Sequence, residues 1–385
     1  MRKIKVLYII HSTVMGGATI SFKNMVAEIQ KEGIIPIIVY PLSIRANNDI
    51  INYFKRIDCI CIPVPMSMSI YPGSSSCVLS FLLLIRKIVI KIFSFVSILI
   101  ITKYYKPVLI HTNTGVIHEG FLVAKVLHIP HVWHIREYQI KDFGWRIFPS
   151  KRMFICFLNS SYTIFISKDL QLFFHLKNNC KSRVIYNPIF SKKEIFEEIE
   201  YQKEKYFLVA NRLSKEKGIE EIIKAFLDLL DIDSNYRLII AGAGDEKYIE
   251  YLNSFAKNTS YSSKISFLGY VADIKNLMRH ATALVVGSFY EAFGRMTAEA
   301  NMLGCLVIGR NTGGTKEILQ ETGGGLLFLN KKDLIECFLE IIGYDKKEYL
   351  IKAKKSQNNA ITLFSTENNV ISIMDFYSTI INGEI

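Results

Sequence analysis

The run Ala283-Leu-Val-Val286, followed by Glu291-Ala-Phe-Gly-Arg-Met-Thr-Ala-Glu299-Ala300, decides the fold of this chain. The first run is short and apolar, whereas Met296 to Leu303 contains Ala, Glu, Met and Leu, so the stretch predicts a strand, a tight loop and a helix. Gly294 falls at the junction of loop and helix. A helix start offers unpaired backbone N–H groups and the positive end of a dipole, and glycine lets a ligand come close to them. The junction therefore suits phosphates or sugar hydroxyls.

Two carboxylates flank this helix start. Glu291 lies in the loop before the helix and Glu299 on its second turn. Ionised carboxylates only accept hydrogen bonds, so they do not suit phosphate alone. They suit a ligand with phosphate in its middle and hydroxyl groups at both ends, such as a nucleotide-sugar. The alternative is a surface helix with two solvated Glu side chains, and this stretch alone leaves both interpretations open.

Length and composition limit the class of protein. A chain of 385 residues is too long for one ordinary core and predicts about two domains. Half of the residues are hydrophobic and the mean hydropathy is +0.22, which leaves some apolar surface for a membrane or a partner. The seven Cys residues form no C-x-x-C pair, so we expect a reduced, cytosolic protein without structural zinc. The apolar run near the start is too short for a signal peptide and predicts a first buried strand.

The positive charge is concentrated in the first half of the chain. Residues 1–187 contain 23 Lys and Arg against 8 Asp and Glu, whereas the remainder contains 24 against 27. The excess of positive charge in the first half favours an anionic partner, either nucleic acid or a membrane surface. The sequence contains no zinc-finger spacing, no aromatic RNA-binding segment and no basic helix with heptads. We therefore expect an anionic membrane surface as a partner and no nucleic acid.

Residues 77–101 form a long apolar segment that resembles a transmembrane helix. Arg86, Lys87 and Lys91 fall in its middle, and each charge would cost about 2.5–3.5 kcal/mol on insertion scales. A spanning helix is therefore disfavoured. The segment predicts a buried helix of an α/β domain with a basic rim, or else an amphipathic helix lying on anionic lipid.

The start of the chain follows the order strand, glycine-rich turn and helix. Strand Ile4–Ile10 leads through His11 to Gly16-Gly17, and a helical pattern runs from Ile20 to Lys31. This order opens a doubly wound nucleotide-binding fold, although the dinucleotide spacing G-x-G-x-x-G is absent. Gly16 and Gly17 either let a ligand approach the backbone or serve as ordinary turn residues.

A group of ionisable residues ends another predicted strand, His131-Val-Trp-His-Ile-Arg-Glu137. His134, Arg136 and Glu137 are hard to bury without a purpose. We predict an active-site edge in which His134 donates to a sugar hydroxyl or transfers a proton. The alternative is a core histidine beside a salt bridge.

The second half repeats the alternation of strands and helices after a polar segment, residues 191–200, which predicts an interdomain linker. Strand Tyr206–Ala210 precedes a turn that contains Arg212 and Lys217. These two cations are placed to hold a diphosphate, although charges at helix starts are often only solvated. Alternation in both halves predicts two parallel-sheet domains that face each other across a cleft.

Four motifs in this order resemble one enzyme family. They are Gly16-Gly17-Ala, Arg212-Leu-x-x-x-Lys217-Gly218, Glu291-x-Phe-Gly-x4-Glu299-Ala300 and Gly313-Gly314-x-x-Glu317. The chain resembles the retaining GT-B glycosyltransferases of family GT4, which are typified by bacterial mannosyl- and glucosyltransferases of cell-surface polysaccharides. The resemblance covers nearly the whole chain and is strongest over residues 206–320.

The resemblance implies an activity and an architecture. It implies a metal-independent hexosyltransferase of class EC 2.4 that takes a UDP- or GDP-sugar as substrate, needs no cofactor and retains the anomeric configuration. Its two Rossmann-like domains would be an acceptor-binding domain at 1–190, completed by a terminal helix within 364–385, and a nucleotide-sugar-binding domain at 205–363. The acceptor would be a saccharide or a lipid-linked oligosaccharide, used at the inner face of a bacterial membrane.

The resemblance also implies roles for single residues. Arg212 and Lys217 would hold the donor diphosphate, and Glu299 the ribose hydroxyls. Glu291 and the backbone at Phe293, Gly294 and Arg295 would hold the donor sugar, while Gly16 and Gly17 would let the phosphates approach. His134 matches the family's active-site histidine only by its position at a strand end, and Tyr270 would lie near the base. The predicted catalytic group is therefore His134, Glu291, Arg212 and Lys217.

Other classes of protein fit parts of this pattern. An epimerase or phosphorylase of GT-B shape would handle the nucleotide or phosphate in a similar way, and analysis of its products would distinguish it. A silent nucleotide-sugar-binding protein is a further alternative, since fold does not fix function. The intact set of Arg, Lys and Glu residues argues against that alternative.

Overall fold

The computed structural model of the protein describes residues 4–42, 49–72, 77–139, 141, 144–195 and 203–383. They divide into two compact units. The first is drawn from Met1–Pro188 and Thr366–Ile385 and is called the N-unit below, and the second, Ile189–Ser365, is called the C-unit. Of the predicted linker at 191–200, only residues 191–195 are described, and they belong to the C-unit.

The strands are β1 Ile4–Ile9, β2 Ile34–Pro41, β3 Ile60–Val64, β4 Ile70–Pro72, β5 Leu109–Thr112, β6 His131–Ile135, β7 Trp145–Ile147, β8 Tyr162–Phe165, β9 Ser182–Val184, β10 Tyr206–Ala210, β11 Arg237–Ala241, β12 Ile265–Gly269, β13 Ala283–Val286, β14 Val307–Arg310 and β15 Gly325–Phe328. The helices are α1 Gly17–Ile29, α2 Asp49–Arg56, α3 Cys77–Tyr105, α4 Glu119–Leu127, α5 Lys151–Asn159, α6 Lys168–Phe173, α7 Ile219–Leu230, α8 Glu246–Lys257, α9 Ile274–His280, α10 Arg295–Met302, α11 Gly313–Thr322, α12 Lys331–Gly343, α13 Lys346–Phe364 and α14 Thr366–Ile381.

Seven described strands of the N-unit form one parallel sheet in the order β3-β2-β1-β5-β6-β8-β9. Most residues of these strands are apolar, as expected of a parallel sheet covered on both faces. One face packs on a cluster that includes Phe22 and Phe54, and the other on a cluster that includes Ile98 and Val123. The strand order reverses between β1 and β5, and ligands of open α/β sheets bind at such a switch point.

The C-unit has a parallel sheet of its own, in the order β12-β11-β10-β13-β14-β15. Its amphipathic helix α7 buries Ile222, Phe226 and Leu229 against the sheet. The strand order of this sheet reverses between β10 and β13. The prediction of two Rossmann-like parallel-sheet domains is confirmed, and the cleft between them stays a prediction.

Helix α14 follows the C-unit in the chain but belongs to the N-unit. Its residues Ile373, Phe376 and Tyr377 are buried in the N-unit core together with Phe22 of α1. Asn369 Nδ2 also donates to the carbonyl oxygen of Tyr186 at 2.6 Å. The N-unit core is therefore built from two distant parts of the chain.

Helix α3 differs from the expectation of a buried helix with a basic rim. Ser94, Ile98 and Thr102 are buried, but the outward face of the helix exposes apolar side chains: Ile85, Ile88, Val89, Ile92, Phe93, Val96, Ile100 and Tyr104. Two of its lysines turn inward, where Lys87 Nζ donates to Ile70 O at 2.6 Å and Lys91 Nζ lies 2.8 Å from Glu119 Oε1. The helix is buried on one face only, and Lys87 and Lys91 leave the expected basic rim because they bond to internal partners. Contact of this helix with lipid stays a prediction.

A bilayer-spanning helix was disfavoured from the sequence. Among the described residues, no helix combines the length and the apolar character needed to cross a membrane.

Candidate active site

Three loops meet at the switch point of the C-unit sheet. They follow β10, β13 and β14, and backbone hydrogen bonds join them: Phe289 N donates to Glu216 O at 2.9 Å, and Gly314 N donates to Glu291 O at 2.8 Å. The carboxyl ends of parallel strands lie at one edge of a sheet, so the polar residues of these loops gather there. This edge contains most of the residues that the sequence predicted for donor binding.

Lys217 and Glu291 form an ion pair at this edge. Lys217 ends a short 3₁₀ turn after β10, and Glu291 lies in the loop after β13. Lys217 Nζ donates to Glu291 Oε1 at 2.7 Å, and both side chains are mostly buried, with 15% and 18% exposed. The structure thus places an ammonium group and a carboxylate, which accepts hydrogen bonds, side by side.

Gly294 is the N-cap residue of α10, as the sequence predicted. Its backbone is left-handed, with φ of 91°, a conformation that glycine adopts without strain. Thr315 N of the neighbouring helix α11 would lie 3.2 Å from a Cβ added at Gly294. A Cβ at this position would therefore crowd the start of α11, and glycine adds no side chain beside the first turn of α10.

The glycine pair before α11 packs on the Glu291 loop. A Cβ at Gly313 would lie 2.4 Å from Glu291 O, and one at Gly314 would lie 2.0 Å from Phe293 O. Only glycine permits this approach, so the motif Gly313-Gly314 positions the loop that contains Glu291. Phe293 itself is buried and packs on Phe364, with ring centroids 5.7 Å apart, so its side chain belongs to the core.

Glu299 lies on the second turn of α10 and pairs with Arg295, whose Nε donates to Glu299 Oε1 at 2.6 Å. Burial raises the pKa of Glu299, and the nearby Arg295 acts in the opposite direction. The predicted donor-binding residues Arg295 and Glu299 are therefore coupled to each other.

Two predicted residues lie apart from these pairs. Arg212 is 68% exposed and its Nη2 donates to Glu216 Oε1 at 2.7 Å, within the same turn. Tyr270 follows β12 and is 79% exposed. The structure does not bring either side chain onto the Lys217–Glu291 pair.

Arg310 is a residue of this site that the sequence reasoning missed. It ends β14 and is buried, and its Nε donates to Gly287 O at 2.8 Å. Its Nη2 donates to Glu221 Oε2 at 2.5 Å, and its Nη1 donates to Leu329 O at 3.3 Å. A charged residue at the end of an otherwise apolar strand was the signal that could have revealed it.

The predicted glycine pair of the N-unit, Gly16 and Gly17, lies at the start of α1. Gly16 is the N-cap residue and Gly17 the first residue of the helix, next to the β1–β5 switch point. A Cβ added at Gly16 would meet no atom within 4 Å. Burial, together with the charge of Arg136, lowers the pKa of His11, two residues after β1, to about 4.

His134 lies in a buried polar cluster of the N-unit, with no exposed surface. Its Nδ1 lies 3.2 Å from His111 Nε2, and His111 Nδ1 lies 2.5 Å from the Tyr377 hydroxyl of α14. Burial first, and then the charge of Arg136, lowers the pKa of His134 well below its usual value. The side chain of His134 is therefore a neutral histidine in the core. The neighbouring side chains of Arg136 and Glu137 bond to other groups and show no salt bridge to each other in the described part of the chain. The catalytic role of His134 stays a prediction.

Known proteins resemble this chain in sequence. Residues 190–357 match the family described as Glycosyl transferases group 1. The uncharacterised glycosyltransferase MJ1607 of Methanocaldococcus jannaschii is 35% identical over 125 residues, 32% of this chain and 31% of that protein. Alpha-monoglucosyldiacylglycerol synthase of Streptococcus pneumoniae is 26% identical over 308 residues, 72% of this chain and 67% of that protein. The chain thus matches about a third of the length of the archaeal relative.

A further relative in sequence acts on a lipid-linked saccharide, according to its name. It is the GalNAc-alpha-(1->4)-GalNAc-alpha-(1->3)-diNAcBac-PP-undecaprenol alpha-1,4-N-acetyl-D-galactosaminyltransferase of Campylobacter jejuni, 28% identical over 148 residues, 38% of this chain and 40% of that protein. Among solved structures, HepE (Alr3699) of Anabaena in complex with UDP matches 98% of this chain and 100% of its own, with a TM-score of 0.76 and 19% identity.

Two parallel-sheet units of this kind have the GT-B fold of glycosyltransferases. Most of the C-unit, residues 190–357, matches the group 1 glycosyltransferase family, as the motifs in this half of the chain predicted. Retention of the anomeric configuration stays a prediction. The roles of the single site residues stay predictions.

Proposed function

We propose that the protein transfers a sugar from a nucleoside diphosphate sugar to a hydroxyl group of a saccharide acceptor. The observation that carries this proposal is the Lys217–Glu291 pair at the switch point of a group 1 glycosyltransferase domain. The pair places a phosphate-binding cation beside an acceptor of sugar hydroxyl hydrogen bonds. Gly294 adds the open start of α10 at the same edge.

The proposed chemistry follows from where charge develops. The bond between the anomeric carbon and the diphosphate oxygen breaks, and the acceptor oxygen forms the new bond to that carbon. Negative charge collects on the leaving diphosphate, where Lys217, Arg212 and the N–H groups at the start of α10 stabilise it. Glu291 and the backbone at Phe293 to Arg295 hold the sugar, and Glu299 holds the ribose.

Retention and independence from metal are the finer parts of the proposal. The acceptor hydroxyl enters on the face that the diphosphate leaves and passes its proton to a departing phosphate oxygen, so the anomeric configuration is kept. The cationic side chains supply the charge that a divalent ion would supply. Transfer should therefore continue at the same rate in EDTA, and NMR of the product should give the anomeric configuration of the donor.

A screen of UDP- and GDP-sugars tests the proposed donor class. Those that bind should raise the melting temperature of the protein, because a ligand that binds only the folded state stabilises it. The screen should also release UDP or GDP when a saccharide acceptor is present. If no nucleotide-sugar binds or is consumed, the proposal is wrong.

Lys217→Ala is the sharpest single substitution at this site. It removes a cation from the leaving diphosphate, so we expect turnover to fall about a hundredfold or more, measured as UDP or GDP release. The far-UV circular dichroism spectrum should not change, since the site lies in loops. Lys224→Ala is the matched control, because Lys224 is exposed on α7, where it pairs with Glu220 of the same helix and lies over the Phe255 ring. Equal rates for wild type and Lys217→Ala would contradict the diphosphate role.

We further propose that the acceptor is lipid-linked and that the protein works at the cytoplasmic face of a bacterial membrane, in surface polysaccharide synthesis. The names of the Streptococcus and Campylobacter relatives contain a diacylglycerol and an undecaprenol, and this supports a lipid acceptor. The outward apolar face of α3 supports contact with a membrane surface. The exposed cations Arg86, Lys103 and Lys106 lie on or next to this helix and would attract anionic headgroups.

A further inference from the structure

A buried cation lies at the carboxyl edge of the N-unit sheet. Arg136 follows the last residue of β6 and is 6% exposed. Its Nε donates to Asn113 Oδ1 at 2.9 Å, its Nη1 donates to Asn187 Oδ1, and its Nη2 lies 3.4 Å from His134 Nδ1. Each of these partners is a neutral side chain, since the pKa of His134 is lowered well below its usual value by burial.

The guanidinium has no carboxylate bound to it among the described residues. Glu137 is the next residue, but its Oε1 accepts from Thr114 Oγ1 at 2.9 Å and from Gly115 N at 2.7 Å. Glu137 is also hydrogen-bonded to the backbone of Arg136, and it acts on the guanidinium through its charge, which opposes the lowering of the Arg136 pKa by burial. An arginine stays protonated at neutral pH, and a buried ion without a paired counter-ion is costly to keep.

The charge of Arg136 lowers the pKa values of the neighbouring imidazoles, and these rings supply no negative charge to balance it. Burial is the largest cause that lowers the pKa of His11, His111 and His134, and the charge of Arg136 is the second. All three rings are therefore neutral at pH 7. Arg136 is the cation of this cluster, and its charge has no partner within it.

Arg136 also has donors to spare. A guanidinium has five N–H groups, and the three contacts above use three of them. Asn113, which fixes its Nε, lies directly after β5, and β5 borders the switch point of the sheet. Ligands of doubly wound sheets bind at this place.

We propose that Arg136 binds a phosphate group of a substrate at the switch point of the N-unit sheet. The proposal rests on the proposed sugar transfer and extends it, because both the donor and a lipid-linked acceptor contain such a group. The bound anion supplies the counter-charge that the cluster lacks, and the remaining N–H groups donate to its oxygens. Asn113 and Asn187 hold the guanidinium in position for it.

Calorimetric titration with two probes tests this site and separates the two sources of the phosphate. UDP represents the donor, and farnesyl diphosphate represents the acceptor lipid. Arg136→Gln should weaken one of them about tenfold or more, since a charge-assisted hydrogen bond is lost. Weaker UDP binding assigns the site to the donor, and weaker farnesyl diphosphate binding assigns it to the acceptor.

Arg183→Gln is the matched control. Arg183 lies on β9 of the same unit, is partly exposed and forms an ion pair with Asp375, so its loss should change neither titration. A folded Arg136→Gln that binds both probes as wild type does would overturn the proposal.

If Arg136→Gln does not fold, or if the wild type binds neither probe, binding of tungstate in a crystal tests the proposed site. This phosphate-shaped heavy anion, diffused into crystals of the wild-type protein, should give density beside the Arg136 guanidinium. Density elsewhere only, as an adventitious ion, overturns the proposal. Neither experiment requires sugar transfer, so this site and the proposed activity can fail separately.

Discussion

At Gly16 a substitution can test ligand binding without changing the stability of the fold. Its φ is −152°, an extended conformation open to any residue, and a Cβ there would meet no atom within 4 Å. Gly16→Ala should therefore leave the free energy of unfolding within about 0.5 kcal/mol of wild type. If phosphates approach this backbone as predicted, the added methyl group should weaken binding of a UDP-sugar about tenfold, as measured by calorimetric titration.

Gly343→Ala is the control for this substitution. Gly343 ends α12 in the C-unit, and a Cβ there would also meet nothing within 4 Å. Neither stability nor binding should change in this variant. Unchanged UDP-sugar affinity in Gly16→Ala would leave Gly16 as an ordinary turn residue.

The sequence predicted which residues lie at the C-unit site better than it predicted which residues contact each other there. Lys217 and Glu291 were both assigned to the donor, but they are far apart in the chain, and only the fold shows that they form a pair. For His134 the pattern left an active-site edge and a core histidine open, and in the structure the side chain is fully buried. Burial depends on what later parts of the chain place over a strand, here Tyr377 of α14 through His111.

At the scale of elements, Arg310 joins two loops and one helix of the C-unit. It bonds to the carbonyl oxygens of Gly287 and Leu329 and to Glu221 of α7. Arg310→Gln leaves Glu221 without its charged partner and frees the loop that leads to Glu291. We expect the C-unit to lose about 2–4 kcal/mol of stability and the KM for the donor to rise about tenfold with a smaller change in kcat.

Arg237→Gln is the matched control for Arg310→Gln. Arg237 is about half exposed and lies 3.4 Å from Glu204, so its loss should change stability by less than about 0.5 kcal/mol. Arg310→Lys should recover part of the donor affinity, because it keeps the charge. A wild-type KM in Arg310→Gln would remove Arg310 from the site.

Helix α3 offers a test of the proposed membrane contact. Phe93 is exposed on its outward face, so Phe93→Glu should not affect the melting temperature. It should weaken co-sedimentation with vesicles of anionic phospholipid by a factor of about ten, because it removes apolar burial and adds repulsion.

Ile371→Glu controls for the added charge. Ile371 is exposed on α14 of the same unit, and its replacement should leave vesicle binding unchanged. Equal loss in both variants would indicate a general effect of charge, and no loss in either would exclude α3 as the contact.

Element positions were largely predictable because they depend on local signals. The apolar run at 283–286 and Gly294 marked β13 and the start of α10 to the residue. The orientation of α3 was not predictable, because it depends on Ser69, Ile70 and Glu119, which lie in other elements and accept from its lysines. Tertiary hydrogen bonds of this kind cannot be predicted from the hydrophobic periodicity of a helix sequence.

At the scale of the whole molecule, acid should destabilise the two units at different pH. Burial lowers the pKa of five N-unit histidines, namely His11, His111, His118, His131 and His134. Each stays neutral in the folded unit but binds a proton in the unfolded chain below about pH 6.5. The unfolded state then binds more protons, so N-unit stability is complete above about pH 6.5 and falls as the pH drops toward the folded values, about 4 for His11.

The C-unit should respond little in this window and with the opposite sign, because burial raises the pKa of Glu299 and the folded state then binds that proton more tightly than the unfolded chain. The pKa values of Glu194, Glu216, Glu220 and Asp233 are lowered, and the stability that they contribute is lost only as the pH falls below their ordinary range near 4. Both tryptophans, Trp133 and Trp145, lie in the N-unit part of the sequence. Tryptophan-monitored melting should therefore shift down by several degrees between pH 7.5 and 5, while melting of the C-unit seen by circular dichroism shifts little. A parallel shift of both transitions would contradict this assignment.

The position of α14 has a consequence for synthesis on the ribosome. Ile189–Ser365 leave the exit tunnel before residues 366–383 do, so the later-encoded unit is complete while the earlier one still lacks a helix. Until Phe376 and Tyr377 are translated, the nascent N-unit exposes the hydrophobic surface that they cover in the finished protein. A premature stop codon just after residue 365 would therefore release a product with a complete C-unit and an aggregation-prone N-unit.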